Sequence, residues 1–137
     1  MDKTVSISTT PKQSQCLIAC GVNPDSADMM WYSLGDDKDF NLYAVEWETS
    51  RIKKRKITAH SIPAWSLSAL LELLPNRILV DDAWYECQIC KCPFGYEVRY
   101  HSKVFKDPFG CLCKNPIEGC VEAIKYLINN DYTLNTK

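Results

Sequence analysis

The sequence predicts an α+β fold: a small antiparallel sheet of four to five strands built from two hairpins and packed by two to three short helices. Three observations carry that prediction. Apolar residues alternate with period two over Phe40 to Trp47, and two further strand-like segments, Ala83 to Cys92 and Tyr96 to Ser102, flank the turn residues Pro93-Phe94-Gly95. Leucines and isoleucines recur at helical spacing over Leu67 to Leu74 and Ile117 to Ile128, each run behind a capping residue. The 137 residues, 46% apolar, suffice for a hydrophobic core without disulfide support.

Taken in order, residues 1–10 are polar and rich in Ser and Thr, and are expected to be flexible; residues 11–137 are read as a single domain. Thr10-Pro11 can start a helix as N-cap and first helical residue, and Gly21 can end it in a left-handed cap, with Cys16, Leu17 and Cys20 on the buried side. Asn23-Pro24 reads as a turn, followed by about one helical turn capped by Asp25 or Ser26. Phe40, Leu42 and Ala44 then lie on one face of a strand, with Tyr43, Val45 and Trp47 on the other. Glu48-Thr49-Ser50 looks like a turn from which Arg51 to His60 returns as the hairpin partner. Ser66 caps a helix whose stripe is Leu67, Leu70, Leu71 and Leu74, and Pro75 stops it.

Ile78-Leu79-Val80 forms a short strand ending at Asp81-Asp82, before the second hairpin. The segment from Ser102 to Lys114 reads as an irregular loop. Asn115 caps the last helix, Pro116 occupies its first position, and Glu118 completes a variant of the capping box. Ile117, Cys120, Val121, Ile124, Leu127 and Ile128 trace its apolar stripe.

A formal net charge of -1 gives no general attraction to nucleic acid or to an anionic membrane. No apolar run reaches the length of a signal peptide or a membrane span, so the expected location is the cytoplasm. Thiols there stay reduced, and clustered cysteines are metal ligands, reactive groups or small core residues before they are disulfides. Six of the eight cysteines fall between Cys87 and Cys120.

The strongest chemical candidate is a structural zinc site made from Cys87, Cys90, Cys111 and Cys113, with Cys92 or His101 as substitutes. Zinc takes four thiolate or imidazole ligands as a tetrahedron, often from two close pairs joined by a loop; here the loop is about twenty residues. Two features oppose it. The second pair is Cys-x-Cys, and alternation along a strand puts Cys90 and Cys92 on the face opposite Cys87. The competing reading makes these thiols small hydrophobes packed in a sheet. Cys87-x-x-Cys90 also has the spacing of a redox dithiol, but it lacks the helix N-terminus that lowers the pKa in such motifs. Cys120 belongs to the helix stripe.

The run Arg51 to Lys56 is the one dense basic segment. It could track phosphates, with Tyr43 and Trp47 for stacking, but a solvated edge strand explains it better. Neither His60 nor His101 falls in a catalytic motif, and there is no phosphate-binding loop, dinucleotide fingerprint or HExxH.

Three segments, NPDSADMMW at 23–31, IPAWSLSALLELLP at 62–75 and KNPIEGCVEAIKYLI at 114–128, resemble a group of small proteins from the genomes of gut anaerobes and their phages and prophages. The resemblance implies one compact domain of mobile-element origin and supplies no catalytic residue. Gly119 departs from the alanine usual in that group, as do the dense cysteines. The expectation is therefore a non-enzymatic interaction protein with no cofactor, bound to another protein or to a second copy of itself. Trp31, Trp47 or Trp65 are its expected anchors. The alternative is a small zinc-binding or nucleic-acid-binding module.

Overall fold

The computed structural model of the chain describes residues 7–33, 40–44 and 61–135. The fold is α+β, with antiparallel sheets and short helices. It gathers into two compact units, Met1–Ala69 and Leu70–Lys137. Among the described residues no helix is long and apolar enough to cross a membrane.

In the first unit, helix α1 (Pro11–Cys20) begins and ends as predicted. The Thr10 hydroxyl accepts from the Gln13 N–H at 3.1 Å while Gln13 Oε1 accepts from the Thr10 N–H at 2.9 Å, a reciprocal box that satisfies two otherwise orphaned donors. Gly21 closes the helix at φ 110°, where a side chain would be strained. The buried face differs from the expected one: Leu17 and Ser14 are buried, Cys16 is exposed and Cys20 only half-buried. Ser14 earns its place through a hydrogen bond of 2.8 Å between its hydroxyl and that of Thr9.

Residues 23–31 are only partly helical. A 3-10 turn at Pro24–Ser26 is capped by Asn23, whose side chain accepts from the Asp25 N–H. Met29–Tyr32 is strand β1, which the sequence reading missed. It is the central strand of a three-stranded antiparallel sheet, flanked by β2 (Asn41–Ala44) and β3 (Ser61–Ala64). Among the described residues β3 is an edge strand, a position where a proline such as Pro63 is tolerated. The expected partner at Arg51 to His60, the Glu48-Thr49-Ser50 turn and Trp47 lie outside the described residues.

Ser8 and Thr9 are buried and well bonded, against the expectation of a flexible start. The Thr9 N–H donates to the Trp65 carbonyl at 2.9 Å and its hydroxyl accepts from the Trp65 N–H at 3.0 Å. Its carbonyl accepts from Trp31 Nε1 at 2.8 Å. Trp65 is fully buried, with its indole N–H bonded to Ser26. Neither Trp31 nor Trp65 therefore offers its indole N–H to a partner.

Helix α2 (Leu67–Leu73) carries the chain into the second unit. Ser66 caps it, its hydroxyl accepting from the Ala69 N–H, and the Asp28 carboxylate receives both the Ser66 N–H and its hydroxyl. The buried stripe is Ala69, Leu70, Leu73 and Leu74; Leu71 is 40% exposed, which corrects the stripe predicted from spacing.

The second unit is a four-stranded meander of β4 (Arg77–Val80), β5 (Ala83–Cys92), β6 (Gly95–His101) and β7 (Phe109–Cys113), paired in that order. Asp81 and Asp82 make the first turn at φ 49° and 67°, a left-handed pair that Asp tolerates and a two-residue hairpin needs. Pro93-Phe94 makes the second, and Gly95 follows at φ 145° with β7 so close that a Cβ would stand 2.3 Å from the Cys113 carbonyl oxygen. The segment CLC, expected in a loop, forms most of β7.

Helix α3 (Pro116–Asn129) lies across β6 and β7. Asn115 Oδ1 accepts from the Glu118 N–H, but Glu118 Oε1 reaches back to the Lys114 N–H, one residue before the position a capping box would use. Ile117, Cys120, Val121, Ala123, Ile124 and Leu127 are buried toward the sheet.

Candidate functional site

Strand register divides the cysteines between the two faces of the β4–β7 sheet. Cys87 pairs with Tyr100, Cys111 with Val98 and Cys113 with Tyr96, so these three thiols point to the face that α3 covers. Cys90 pairs with Glu97 and Cys92 with Gly95, on the other face. His101 shares that second face and is bonded to Asp107. The four residues proposed as zinc ligands are thus split three and one, because Cys87 and Cys90 sit an odd number of residues apart on one regular strand. Among the described residues no group of three or more His, Cys, Asp or Glu side chains is placed to hold a metal ion.

The covered face keeps its thiols protonated. Burial pushes the Cys120 thiol up to about 12, with Cys87 and Cys113 adding to the shift. Burial also raises Cys87, although a hydrogen bond with Tyr100 works in the opposite direction. Tyr100 is raised as well, chiefly by burial, and its hydroxyl donates to the Pro75 carbonyl at 2.8 Å. Burial raises Cys111, helped by Glu122 and Glu118, and burial raises Cys113. A thiol held neutral is a poor nucleophile and a poor metal ligand, since both roles need the thiolate. The packing is correspondingly tight: at Gly119 a Cβ would stand 2.3 Å from Val98 Cγ2 and 2.8 Å from Cys113 Sγ. The glycine at 119 and the thiol at 113 are therefore one packing solution.

The second face carries a polar network that the sequence reading did not find. Arg99 donates through Nε and Nη2 to Gln88 Oε1 at 3.2 and 3.1 Å, the two residues facing each other across β5 and β6. Arg99 Nη1 lies 3.6 Å from Glu97 and 3.8 Å from Asp107, and Asp107 Oδ1 lies 2.8 Å from His101 Nδ1. Gly110 faces Arg99 from β7, and a Cβ there would come within 3.2 Å of Glu97 Oε2. The guanidinium is shared among two carboxylates and an amide, so the network braces the surface. Only alternation within β6, which puts Glu97, Arg99 and His101 on one side, foretold any of it.

Exposed apolar side chains stand at both rims of this sheet. On β4 and β5, Leu79 and Trp84 face each other, with Trp84 51% exposed and the Arg77 guanidinium 4.4 Å from its ring centre. At the opposite rim Leu112 is 75% exposed and Phe94 95% exposed. Cys92, Phe94, Tyr96, Leu112, Cys113 and Lys114 line a shallow depression there.

Comparison with protein-family models, with curated proteins and with solved structures finds no match to this chain.

Proposed function

We propose that this chain is a non-enzymatic interaction protein, an accessory factor of phage or mobile-element origin that works in the cytoplasm by binding another protein. The single observation that supports binding is the exposed apolar pair Leu79 and Trp84, side by side at one rim of the sheet's open face. An exposed tryptophan beside a leucine, rimmed by charge, has the composition of an interface anchor, and Trp84 takes the role expected of Trp31 or Trp65. The origin rests on the resemblance of the segments at 23–31, 62–75 and 114–128.

The test is recovery of a binder from the source cells, followed by recombination of the two purified proteins. The Leu79→Ser/Trp84→Ser double variant should keep its fold by circular dichroism and bind at least about tenfold more weakly, the scale of a hot-spot loss. Unchanged affinity in that variant would sink the assignment.

A further inference from the structure

We propose that the outer edge of β7 accepts an extended strand from a partner protein, and that the strand it selects carries basic, apolar and basic residues in succession. This rests on the reading of the chain as an interaction protein and names the partner's chemistry at the second rim.

Among the described residues β4 and β7 are the edges of the sheet, and they differ in how they are guarded. Strand β4 has four residues, starts with Arg77 and ends in the Asp81-Asp82 turn. Strand β7, FGCLC, has no charge, no proline and an unbroken register against residues 96–100 of β6. Natural edges are usually blunted by charges, prolines or bulges, and β7 has none of these within it. A straight edge of this kind is the template for strand addition.

Helix α3 supplies the selectivity. Phe109 packs on Tyr126 with ring centres 5.1 Å apart, and Gly119 packs against Cys113, so α3 runs antiparallel to β7 above it. Glu122 lies four residues before Tyr126 and Glu118 four residues before Glu122, along one side of the helix, and both carboxylates are exposed. Glu118 is fixed at the far end of β7 by its bond to the Lys114 N–H. Four helical residues rise about 6 Å and two strand residues about 6.7 Å, so the spacing of the two carboxylates matches alternate residues of an added strand. The residues facing Cys111 and Cys113 would meet Glu122 and Glu118, and the residue between them, on the opposite side, would meet Leu112. The Lys125 ammonium already lies 3.4 Å from Glu122, but an exposed pair of that kind is weak and exchangeable.

The same carboxylates argue against a second copy of this chain. Antiparallel pairing of two β7 edges about a two-fold axis normal to the sheet keeps both α3 helices on one side. With the axis at Leu112, Glu118 of each copy would oppose Glu122 of the other, and like charges set opposite each other are destabilising.

The probe is a fluorescein-labelled nine-residue peptide with a central Lys-Val-Lys between threonines, compared with its Glu-Val-Glu twin, with binding read by anisotropy at low salt. The basic peptide should bind at least about tenfold more tightly than the twin, and Glu118→Gln/Glu122→Gln, which keeps the cap acceptor, should erase most of that difference. Hydrogen exchange should show new protection in the β7 amides. Equal binding of the two peptides, unchanged binding by the Gln variant or no protection of β7 would overturn the proposal. So would a concentration-dependent dimer in sedimentation that Leu112→Asp abolishes. If the peptide fails while the Leu79→Ser/Trp84→Ser variant still loses the recovered partner, the edge assignment falls and the interaction reading stands.

Discussion

The covered and open faces of the β4–β7 sheet draw on the same short stretch of sequence and reach opposite chemical outcomes. On the covered face, burial raises the pKa of the cysteines and Tyr100 and holds them neutral, and the packing is tightest where Gly119 meets Val98 and Cys113. On the open face, Arg99 bonds across the strands to Gln88 and pairs with the carboxylates of Glu97 and Asp107. A cysteine's fate is thus decided by the parity of its position on a strand, ahead of its distance from the next cysteine in sequence.

The sharpest way to break this contrast is to empty the covered face. Ile124→Ala, at a fully buried site, should cost about 3 kcal/mol in urea unfolding, whereas Leu112→Ser on the open face should stay within about 0.5 kcal/mol. Equal costs would mean that α3 is not the cover. Overfilling is next in size: Gly119→Ala should destabilise by about 2 kcal/mol despite its better helix propensity, and Val98→Ala in the same chain should restore part of the loss.

The pH response of the covered face follows from the raised thiols. A group whose folded pKa lies above its unfolded value contributes stability that is complete below the unfolded value and lost as pH rises through the folded one. For Cys120 that window runs from the ordinary thiol value of 9.0 to about 12. Unfolding free energy should therefore fall above pH 9, by on the order of 2 to 3 kcal/mol at pH 11, and Cys120→Ala should flatten that part of the curve. A smaller loss is expected from Tyr100→Phe, which should cost about 1 kcal/mol by leaving the Pro75 carbonyl without its donor.

Elements whose signals are local were legible before the structure. Thr10-Pro11 and Gly21, Asn115-Pro116 with Glu118, and the hairpin about Pro93-Phe94 form where capping and turn chemistry put them, within a residue or two. What escaped depends on partners far along the chain. Strand β1 has four residues with no alternation to announce it, and it exists because β2 and β3 close on either side. Strand β7 looked like a loop because its glycine and paired cysteines carry little strand propensity; β6 beside it and α3 above it make the strand. At the candidate site, alternation alone foretold that Cys90 and Cys87 would part. The Arg99 network needed the register, which no single segment encodes.

Thr9 ties the first unit together in a way that bears on the order of folding. Its bonds to Trp31 and Trp65 span 22 and 56 residues, so the bonds that fix the start of this unit form only once its end has been synthesised. The second unit joins each strand to its immediate neighbour in sequence, a topology of short loops that closes quickly. On the ribosome the earlier half of the chain should therefore wait, with α1 made but undocked, until Trp65 emerges.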